Sequence, residues 1–584
     1  MLSSLFRRPA LLAVLAVLAA AAAPVAARAD DGAGIGVARI NFMQGSVAVQ
    51  RGDSATSTAA ALNAPVLGAD YVTTGAGSRA EIQLDGATAV RLGPNVQLRF
   101  THLDAGDREL QLAEGTVDLR VLRASAGRAQ IDTPSVAVRA DTAGSYRITV
   151  DADGRTFVTV RSGRADVVTP QVTQTLLPGT TLLAQGPADQ PSLQTEAVVA
   201  ADDFDRFNAD RDARELRALG DAYVPPGIAG VDDLYAYGRW VSDPTYGTVW
   251  VPTYVAAGWA PYRDGRWVWE DTYGWTWLGY EPWGWAPYHY GRWLYQPAYG
   301  GWVWVPGPSR AVVTWSPALV AFVTFGGGTS FGFGSFGWVP LAPFEPFTPW
   351  WRPGGTVIVN RTTIINNTTV VNNGGGEVHR GWHDYANARY GLTAIDRQRF
   401  LAGRFDRTIP VTPALLKQAQ VVHGAVPLVP TDANLRYSEH PVAPELAVRP
   451  ATFHRTFAGT AVIAHRTPIE TQRAALRTSV QALPASDPWS RFATSRGTTA
   501  AHGVTPSSSS TSSGSAAHAV RTSDPWARFG TSSRSTATRT APHTDELSRP
   551  VHPVVHRSTP HPKATGVHTA APRAHAPKAK EKHG

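Results

Sequence analysis

Two glycine-rich patterns in this 584-residue sequence have spacings that could perform chemistry. Gly328-Thr329-Ser330-Phe331-Gly332 fits the nucleophile pattern of serine hydrolases, in which the serine stands between a strand and a helix. Residues 332–337 also fit a dinucleotide-binding pattern, which needs a helix at the same point. Further glycines and then Pro340 and Pro343 follow instead. We therefore attribute both matches to composition.

Carboxylates form a second group of candidates. Four that could pair as acid and base are Asp264, Glu270, Asp271 and Glu281. Their separation is not fixed by the sequence, and solvated turn positions are the ordinary place for such groups. Asp151 and Asp153 begin like a calcium loop, but later ligands are missing, which favours a hairpin turn. We predict no enzyme activity, no cofactor and no metal site.

Aromatic side chains are the third group, and they could bind a ligand by stacking. Indole and phenol faces suit sugar rings through C–H contacts, and quaternary amines through cation–π attraction. A phenol is also expected to keep its polar tip at the surface. The candidate ligand- or partner-binding residues are Tyr262, Arg263, Tyr288, His289, Tyr290 and Tyr295.

These aromatic residues belong to a unit repeated about three times. Each copy opens with Gly-Arg-Trp, has Tyr-Gly eight residues later, and then a second tryptophan. The opening glycines and second tryptophans are Gly238 and Trp250, Gly265 and Trp277, and Gly291 and Trp304. Such a period indicates a supersecondary unit that buries its face on its neighbour. Because the repeats contain only two leucines, we expect most of these indoles to form a core.

The second copy predicts a β-hairpin. Trp267 and Trp269 alternate with other residues before a turn at residues 271–274, and Trp275 and Trp277 alternate after it. This places four indoles on one face, where cross-strand aromatic pairs stabilise a sheet.

Residues 37–186 alternate apolar and polar positions, with turn residues every 8 to 12 positions, which predicts an all-β domain. Short strings in this region resemble the FecR domain family, in this order: Gly45–Val47, Leu67–Asp70, Thr74-Gly75, Ser78–Leu84, Arg91-Leu92, Leu112–Gly115, Ala143–Arg147, Val160–Gly163 and Leu177–Gly179. The resemblance implies a periplasmic β-rich domain. The founding type relays a signal from an outer-membrane transporter to a sigma factor, through a membrane helix ahead of the domain. Here a cleavable signal stands in that place.

The repeat region, residues 232–352, is similar to a tryptophan-rich domain of unknown function that often accompanies FecR-like domains in exported bacterial proteins. The strings that carry this similarity are Gly265–Trp269, Glu281–Trp293 and Gly301–Pro306. The similarity implies no known activity.

The remaining segments are a connector and a long C-terminal part. Residues 187–231 predict a helix capped by Asp202 that bridges the two β regions or serves as a docking helix. Residues 353–466 contain an Asn-rich strand and a partly ordered region that packs on the aromatic repeats. Residues 467–584, rich in Ser, Thr, Pro and His, predict a disordered basic tail. The fold class is therefore mainly β: an all-β FecR-like domain, a tryptophan-rich hairpin module and a disordered tail.

The tail contains one short motif twice. Asp-Pro-Trp-x-Arg-Phe supplies good interface anchors and could be a bivalent peptide ligand or a duplicated stretch without a receptor. The further partner-binding candidates are Trp489, Arg491, Phe492, Trp526, Arg528 and Phe529.

The N-terminus and the composition bear on location. Residues 1–29 predict a signal peptide, no later run is long enough for a membrane helix, and there are no cysteines. We expect a chain exported to the periplasm, either free there or associated with the outer membrane, with no nucleic-acid partner. The predicted function is a non-enzymatic binding or scaffold protein whose partners are envelope proteins or cell-wall glycan. A FecR-type accessory sensor is the alternative.

Overall fold

The structure, a computed structural model, describes most of residues 36–481. Residues left out within that range are 105, 124–126, 141, 221–222, 226, 308–314, 326–333, 348, 352–381, 423–425, 427 and 460–461. The predicted signal peptide, the Asn-rich strand at 356–373 and the chain beyond residue 481 lie outside the described residues. The described part is mainly β, as predicted.

None of the helices in the described residues has the length and apolar content needed to span a membrane.

The first β region is a two-sheet N-terminal sandwich. Its strands are β1 (Ala38–Gln44), β2 (Val47–Gln50), β3 (Ser57–Ala59), β4 (Pro65–Val66), β5 (Tyr71–Thr74), β6 (Arg79–Gln83), β7 (Thr88–Leu92), β8 (Gln97–Leu103), β9 (Asp107–Val121), β10 (Arg128–Asp132), β11 (Ala137–Ala140), β12 (Gly144–Val150), β13 (Thr156–Ser162), β14 (Ala165–Val168), β15 (Thr173–Leu176), β16 (Thr180–Gln185) and β17 (Ser192–Glu196).

One long strand belongs to both sheets. The first half of β9 pairs with β8 and β10, and the second half pairs with β7 and β12. Strand β9 passes from one sheet to the other at Gly115, whose φ of +98° is accessible to glycine but strained for other residues. The first sheet runs β4-β1-β6-β7-β9-β12-β13-β16-β17, and the second runs β3-β2-β5-β8-β9-β10-β11-β14-β15. Of these pairings only β9 with β10 is parallel among the described strands.

The sandwich core confirms the predicted alternation. In β12, Tyr146, Ile148 and Val150 are buried and the residues between them are less so. The turn at Asp151 is the predicted hairpin turn, because the Gly154 amide donates to the Asp151 carbonyl at 3.0 Å. The Asp151 side chain accepts the amides of Asp153 and Arg155 at 3.0 and 2.9 Å.

A helix covers the outer face of the first sheet. Helix α1 (Asp203–Gly220) begins at the predicted cap, where Asp202 accepts the amides of Phe204 and Asp205 at 2.9 and 3.0 Å. Arg91 of β7 reaches three carboxylates, Glu81 of β6 and two on the helix, at 2.5 to 3.1 Å. The helix therefore docks through charged groups, with Phe204 buried and Phe207 against Phe42 of β1. Helix α2 (Val231–Tyr237) follows.

The tryptophan module comprises residues 232–351 and begins within α2. Its strands are β18 (Gly238–Asp243), β19 (Gly247–Pro252), β20 (Gly265–Glu270), β21 (Gly274–Gly279), β22 (Arg292–Gln296), β23 (Gly301–Val305), β24 (Val320–Phe325) and β25 (Ser335–Pro340), with helix α3 (Ala286–His289) and a 3-10 turn at Pro297–Tyr299. The three repeats form the three predicted hairpins β18–β19, β20–β21 and β22–β23. The first and third join in one sheet through Trp250 and Trp304, and the second stands apart. Indoles of all three copies nevertheless share one apolar core.

The rest of the described chain packs on both β regions. Strands β26 (Thr393–Asp396) and β27 (Ala419–Val422) join β25 and β24 in a four-stranded sheet, as expected for a region that packs on the repeats. The helices here are α4 (Ala388–Gly391), α5 (Arg397–Leu401), α6 (Pro413–Leu416), α7 (Pro450–Phe453) and α8 (Ile469–Gln481), with 3-10 turns at Trp382–Asp384, Asp432–Leu435 and Pro444–Leu446. Because α8 lies beyond residue 467, the predicted start of the tail is too early.

Candidate functional site

The opening glycine of each repeat lies against the second tryptophan of the same repeat. A Cβ atom at this glycine would collide with the indole ring in all three copies. The contacts are Gly238–Trp250, Gly265–Trp277 and Gly291–Trp304. The glycine is therefore required by the volume of the indole across the hairpin, which explains why the two residue types recur together.

Indole N–H groups in this core donate to carbonyl oxygens of other segments. The pairs are Trp250 to Leu234 (2.9 Å), Trp293 to Pro287 (2.8 Å), Trp304 to Tyr290 (2.9 Å), Trp338 to Tyr262 (2.7 Å) and Trp350 to Tyr273 (3.1 Å). An unpaired buried donor costs about 1–3 kcal/mol, so these bonds help to decide which segment each ring packs against. The predicted role of the indoles as core is confirmed, because most of those in the described repeats are buried.

The second hairpin is buried on both faces. Trp267, Trp269, Trp275 and Trp277 lie on one face in two directly opposed pairs, as predicted. On the other face, Val268 and Leu278 join the apolar core of the N-terminal sandwich. This hairpin is therefore the contact layer between the sandwich and the tryptophan module, which explains why it is not part of the sheet of the other two repeats.

Six charged residues and one tyrosine surround this contact layer, and we call them the seam: Arg51, Asp53, Asp70, Glu270, Asp271, Arg466 and Tyr437. Arg51 of the sandwich contacts Glu270 of the hairpin at 2.7 Å and Asp53 at 2.6 Å. It also donates to the carbonyl of Trp269 at 2.8 Å. The Tyr437 hydroxyl lies 3.0 Å from the same Glu270 carboxylate. All of these side chains are buried, so each depends on its partners.

Arg466 joins three parts of the chain at the seam. It contacts Asp70 of the sandwich at 2.9 Å and Asp271 of the hairpin at 2.6 Å, and it lies 3.4 Å from Glu270. Its own segment is C-terminal, almost 400 residues from Asp70. The seam therefore fixes the sandwich, the tryptophan module and the C-terminal segment to one another.

The seam carboxylates are the closest approach to a metal site in the described residues. Oxygens of Asp53, Glu270 and Asp271 lie within 4.8 Å of one another. Two guanidinium groups already contact these oxygens and supply the positive charge. Burial raises the pKa of Glu270 to about 7 against the opposing effect of Arg51 and Arg466. The arrangement is that of a structural ion network.

Four of the six aromatic-module residues predicted to bind a ligand or partner, which we call the platform residues, are buried. Tyr262, Tyr288 and His289 are at most 1% exposed, and Tyr290 is 8% exposed. Tyr262 donates to the Tyr288 carbonyl at 2.8 Å, and burial raises its pKa. Burial lowers the pKa of His289 to about 3, and its Nδ1 lies 2.7 Å from the Ser316 carbonyl. The expectation of phenol tips at the surface is wrong here, because groups inside the core accept these hydroxyls: the Tyr288 carbonyl for Tyr262 and the Glu281 carboxyl for Tyr288.

The other two platform residues are partly exposed. Tyr295 stacks on Tyr390 with ring centroids 3.9 Å apart. Arg263 donates to the Gly258 carbonyl at 2.6 Å. The two residues thus lie at the surface of the module without the four that were expected to join them.

Glu281 is a buried carboxyl inside the aromatic core. Its Oε1 accepts the Trp259 indole at 2.9 Å and the Tyr288 hydroxyl at 2.7 Å, and its Oε2 has no partner among the described residues. Burial raises its pKa to about 7. The expectation of solvated turn carboxylates is therefore wrong for Glu281 and for Glu270, which is fully buried.

The segment just before Trp259 is the most exposed part of the module that the structure describes. Residues 253–258 are all exposed, and Tyr254 is 89% exposed. An apolar loop of this kind on a rigid support is a common place for binding. The repeat pattern did not identify it, because the loop lies between copies.

Several predicted residues lie outside the described part of the chain. They are Ser330 of the hydrolase pattern and the tail residues Trp489, Arg491, Phe492, Trp526, Arg528 and Phe529. Sequence reasoning also missed the seam residues Arg51, Asp70 and Arg466, since no local spacing relates positions so far apart.

Comparison with known families matches two segments. Residues 70–166 match the family described as FecR protein, and residues 231–345 match a family of unknown function, DUF6600. The chain therefore contains a FecR domain within the N-terminal sandwich and a DUF6600 domain that coincides with the tryptophan repeats. A comparison with curated proteins finds no match.

Two solved structures are similar to part of the chain. Each is a crystal structure of a candidate anti-sigma factor from Parabacteroides distasonis. The one at 1.65 Å is 20% identical, covers 22% of this chain and 60% of its own, and has a TM-score of 0.20. The one at 2.50 Å is 15% identical, covers 32% of this chain and 99% of its own, and has the same TM-score. The chain thus spans less than two thirds of the first of these structures.

Proposed function

We propose that this protein is a non-enzymatic binding protein of the bacterial cell envelope with a regulatory or sensor role of the FecR type. The FecR domain supports a regulatory role. The observation that carries the proposal is the seam, where buried ion pairs join the FecR domain to the tryptophan module. Because the seam joins the two modules, a displacement of one module also displaces the other.

The seam suits a protein that transmits or holds rather than one that catalyses. Arg51 and Arg466 each bond carboxylates on both modules, and the hairpin β20–β21 contributes to both apolar cores. Removing one member of a buried pair leaves an uncompensated charge. A partner that binds the tryptophan module is therefore also attached, through the seam, to the FecR domain.

An envelope protein is the partner class that we favour over cell-wall glycan. The glycan hypothesis depended on a stacking platform of tyrosines, most of which are buried. Residues 253–258 offer an exposed apolar loop instead, with Tyr254 at its start and Val255 38% exposed. Tyrosine is among the residues that most often anchor protein interfaces.

Site-specific photo-crosslinking in the full chain tests this proposal. A photoreactive residue at position 254 should trap an envelope protein, and one at Val172, 49% exposed on the N-terminal sandwich, serves as the matched control. Y254A should leave the thermal unfolding temperature unchanged and remove the crosslink. Equal trapping from both positions would contradict the choice of surface.

A genetic readout tests the regulatory part. Deletion should change transcription of envelope genes, and wild-type protein but not Y254A should restore it. A deletion that weakens the envelope without any transcriptional change would support a purely structural scaffold and contradict the sensor role.

A further inference from the structure

The outer face of the second sheet of the sandwich is covered by the chain's own segment Ser438–Gly459, which we call the strap. The strap begins next to the seam residue Tyr437, which donates its amide to Thr58 at 3.0 Å, and the chain returns to the seam at Arg466, seven residues after the strap ends. The strap is therefore a segment that leaves the seam and crosses the outer face of the second sheet. Its departure from the sheet breaks no seam ion pair.

The sheet recognises the main chain of the strap. Thr73 donates to the Leu446 carbonyl at 2.7 Å, and Gln97 accepts the Arg449 amide at 3.0 Å. Further on, the Ala458 amide donates to the Thr133 carbonyl at 2.9 Å. Main-chain groups are common to every peptide, so these bonds hold a segment in place without choosing its sequence.

Sequence preference comes from an aromatic slot. Phe453 and Phe457 of the strap lie over the Arg99 guanidinium, at 5.3 and 6.0 Å from their ring centroids. Phe453 also meets Tyr71 edge-on at 4.9 Å. A cation between aromatic rings is attracted to each of them, so the slot prefers a segment with two aromatic residues four positions apart.

A glycine completes the preference. Gly459 lies directly against the Asp132 carboxyl, and a Cβ atom there would collide with it. Asp132 is buried beneath the strap, and its Oδ2 has no hydrogen-bond partner among the described residues. The surface under the strap therefore accepts an aromatic residue, a second aromatic residue four positions later, and a glycine two positions after that.

We propose that this face of the FecR domain is a binding site for a short peptide segment of a partner protein, and that the strap occupies it in cis until the partner's segment replaces it. The partner segment carries two aromatic residues four positions apart followed by a glycine.

The two covers of the sandwich differ in a way that supports this proposal. Helix α1 is held on the first sheet by a buried network in which Arg91 alone has three carboxylate partners. The strap has only a 3-10 turn and the four-residue α7 as regular structure, and its ion pair from Arg449 to Glu114 is partly exposed. Of the two, the strap is the one that can leave by a local opening.

Hydrogen exchange of the wild-type full chain is the first test. Amides of Arg449 and Ala458 should exchange through a local opening, at least tenfold faster than amides of the core strands β9 and β12. Exchange of the strap amides at the rate of the core strands would show a permanent cover and overturn the proposal.

Peptide binding is the second test. A labelled peptide with the sequence of residues 444–459 should bind full-length F453A/F457A at least tenfold more tightly than the wild-type chain. V462A/I463A, which changes exposed residues beyond the strap, is the matched control and should behave as wild type. A peptide with both phenylalanines replaced by alanine should bind none of them. Failure of the wild-type peptide to bind a folded F453A/F457A chain would contradict the proposal.

Discussion

The two β regions of this protein solve the same packing problem with different side chains. The core of the sandwich is aliphatic, with Val, Leu, Ile and Ala around Phe100 and Tyr146, and the described sandwich contains no tryptophan. The core of the tryptophan module is built mainly from indoles and phenols. Its strands are short and divided among three sheets, whereas those of the sandwich form two continuous sheets.

The difference teaches what an indole core can do that an aliphatic core cannot. Aliphatic packing is non-directional, and the ladders of long sheets determine which strands meet. An indole also carries one N–H donor, which can bond a distant acceptor inside the core. Some buried indoles of the module, such as Trp267 and Trp285, have no acceptor among the described residues, but others do. In the module these donors, such as Trp250 to Leu234 and Trp293 to Pro287, join segments that no strand ladder connects. Small sheets can therefore assemble into one body.

The largest expected effect comes from removing an indole from this core. Trp277 is 1% exposed and contacts its own opening glycine and the opposed Trp267. Trp277→Ala should lower the free energy of unfolding by about 3–5 kcal/mol, measured by chemical denaturation. Tyr254→Ala is the exposed aromatic control and should change it little. A loss below about 1 kcal/mol for Trp277→Ala would contradict the indole core.

The next largest effect is expected at the seam, because the seam joins the sandwich and the tryptophan module into one body. Arg51→Met should leave Glu270 and Asp53 buried without their shared cation and cost about 3–5 kcal/mol. Arg128→Met removes an exposed pair with Asp107 and should cost little. If the two variants behave alike, the modules are not joined through the seam.

A smaller loss tests the glycine rule of the repeats. Gly265→Ala places a methyl group against Trp277 and should cost about 1–3 kcal/mol through overpacking. Gly106→Ala in the sandwich meets no atom nearer than 3.5 Å and is the control. Equal unfolding midpoints for the two would show that the glycine serves the turn rather than the indole.

The smallest expected effect is a pH dependence of the aromatic core. Burial raises the pKa of Glu281 from 4.5 to about 7, so between these values the folded state keeps a proton that the unfolded state has lost. Stability therefore falls as the pH rises through this window. Glu281→Gln should flatten the fall between pH 5 and pH 8 by roughly 1–3 kcal/mol in denaturation series. An unchanged slope would place the titration elsewhere.

Local pattern was enough to predict the elements but not their contacts. Alternation and turn residues identified the strands of the sandwich, and the spacing of Trp267 to Trp277 identified a hairpin with its indoles on one face. The burial of Tyr262 and His289 was missed because their partners, Tyr288 and Ser316, are main-chain carbonyls that any residue supplies. Nothing in their neighbourhood distinguishes them from surface aromatics.

The seam could not be predicted for a different reason. Arg51 and Glu270 are 219 residues apart, and both are charged residues at strand ends, where the sequence predicts exposure to solvent. Only the packing of the second hairpin between two cores makes those positions internal. A similar argument applies to α8, which is stabilised by Gln472 accepting the Trp269 indole at 2.7 Å rather than by its own composition.

The central claim, that the FecR domain and the tryptophan module are one body joined at the seam, is tested most directly by hydrogen-exchange mass spectrometry across a guanidinium series. Peptides from β9 of the sandwich and from β20–β21 of the module should lose protection at the same denaturant midpoint in the wild-type chain. Loss of protection in β20–β21 at a clearly lower midpoint, with β9 still protected, would contradict the claim.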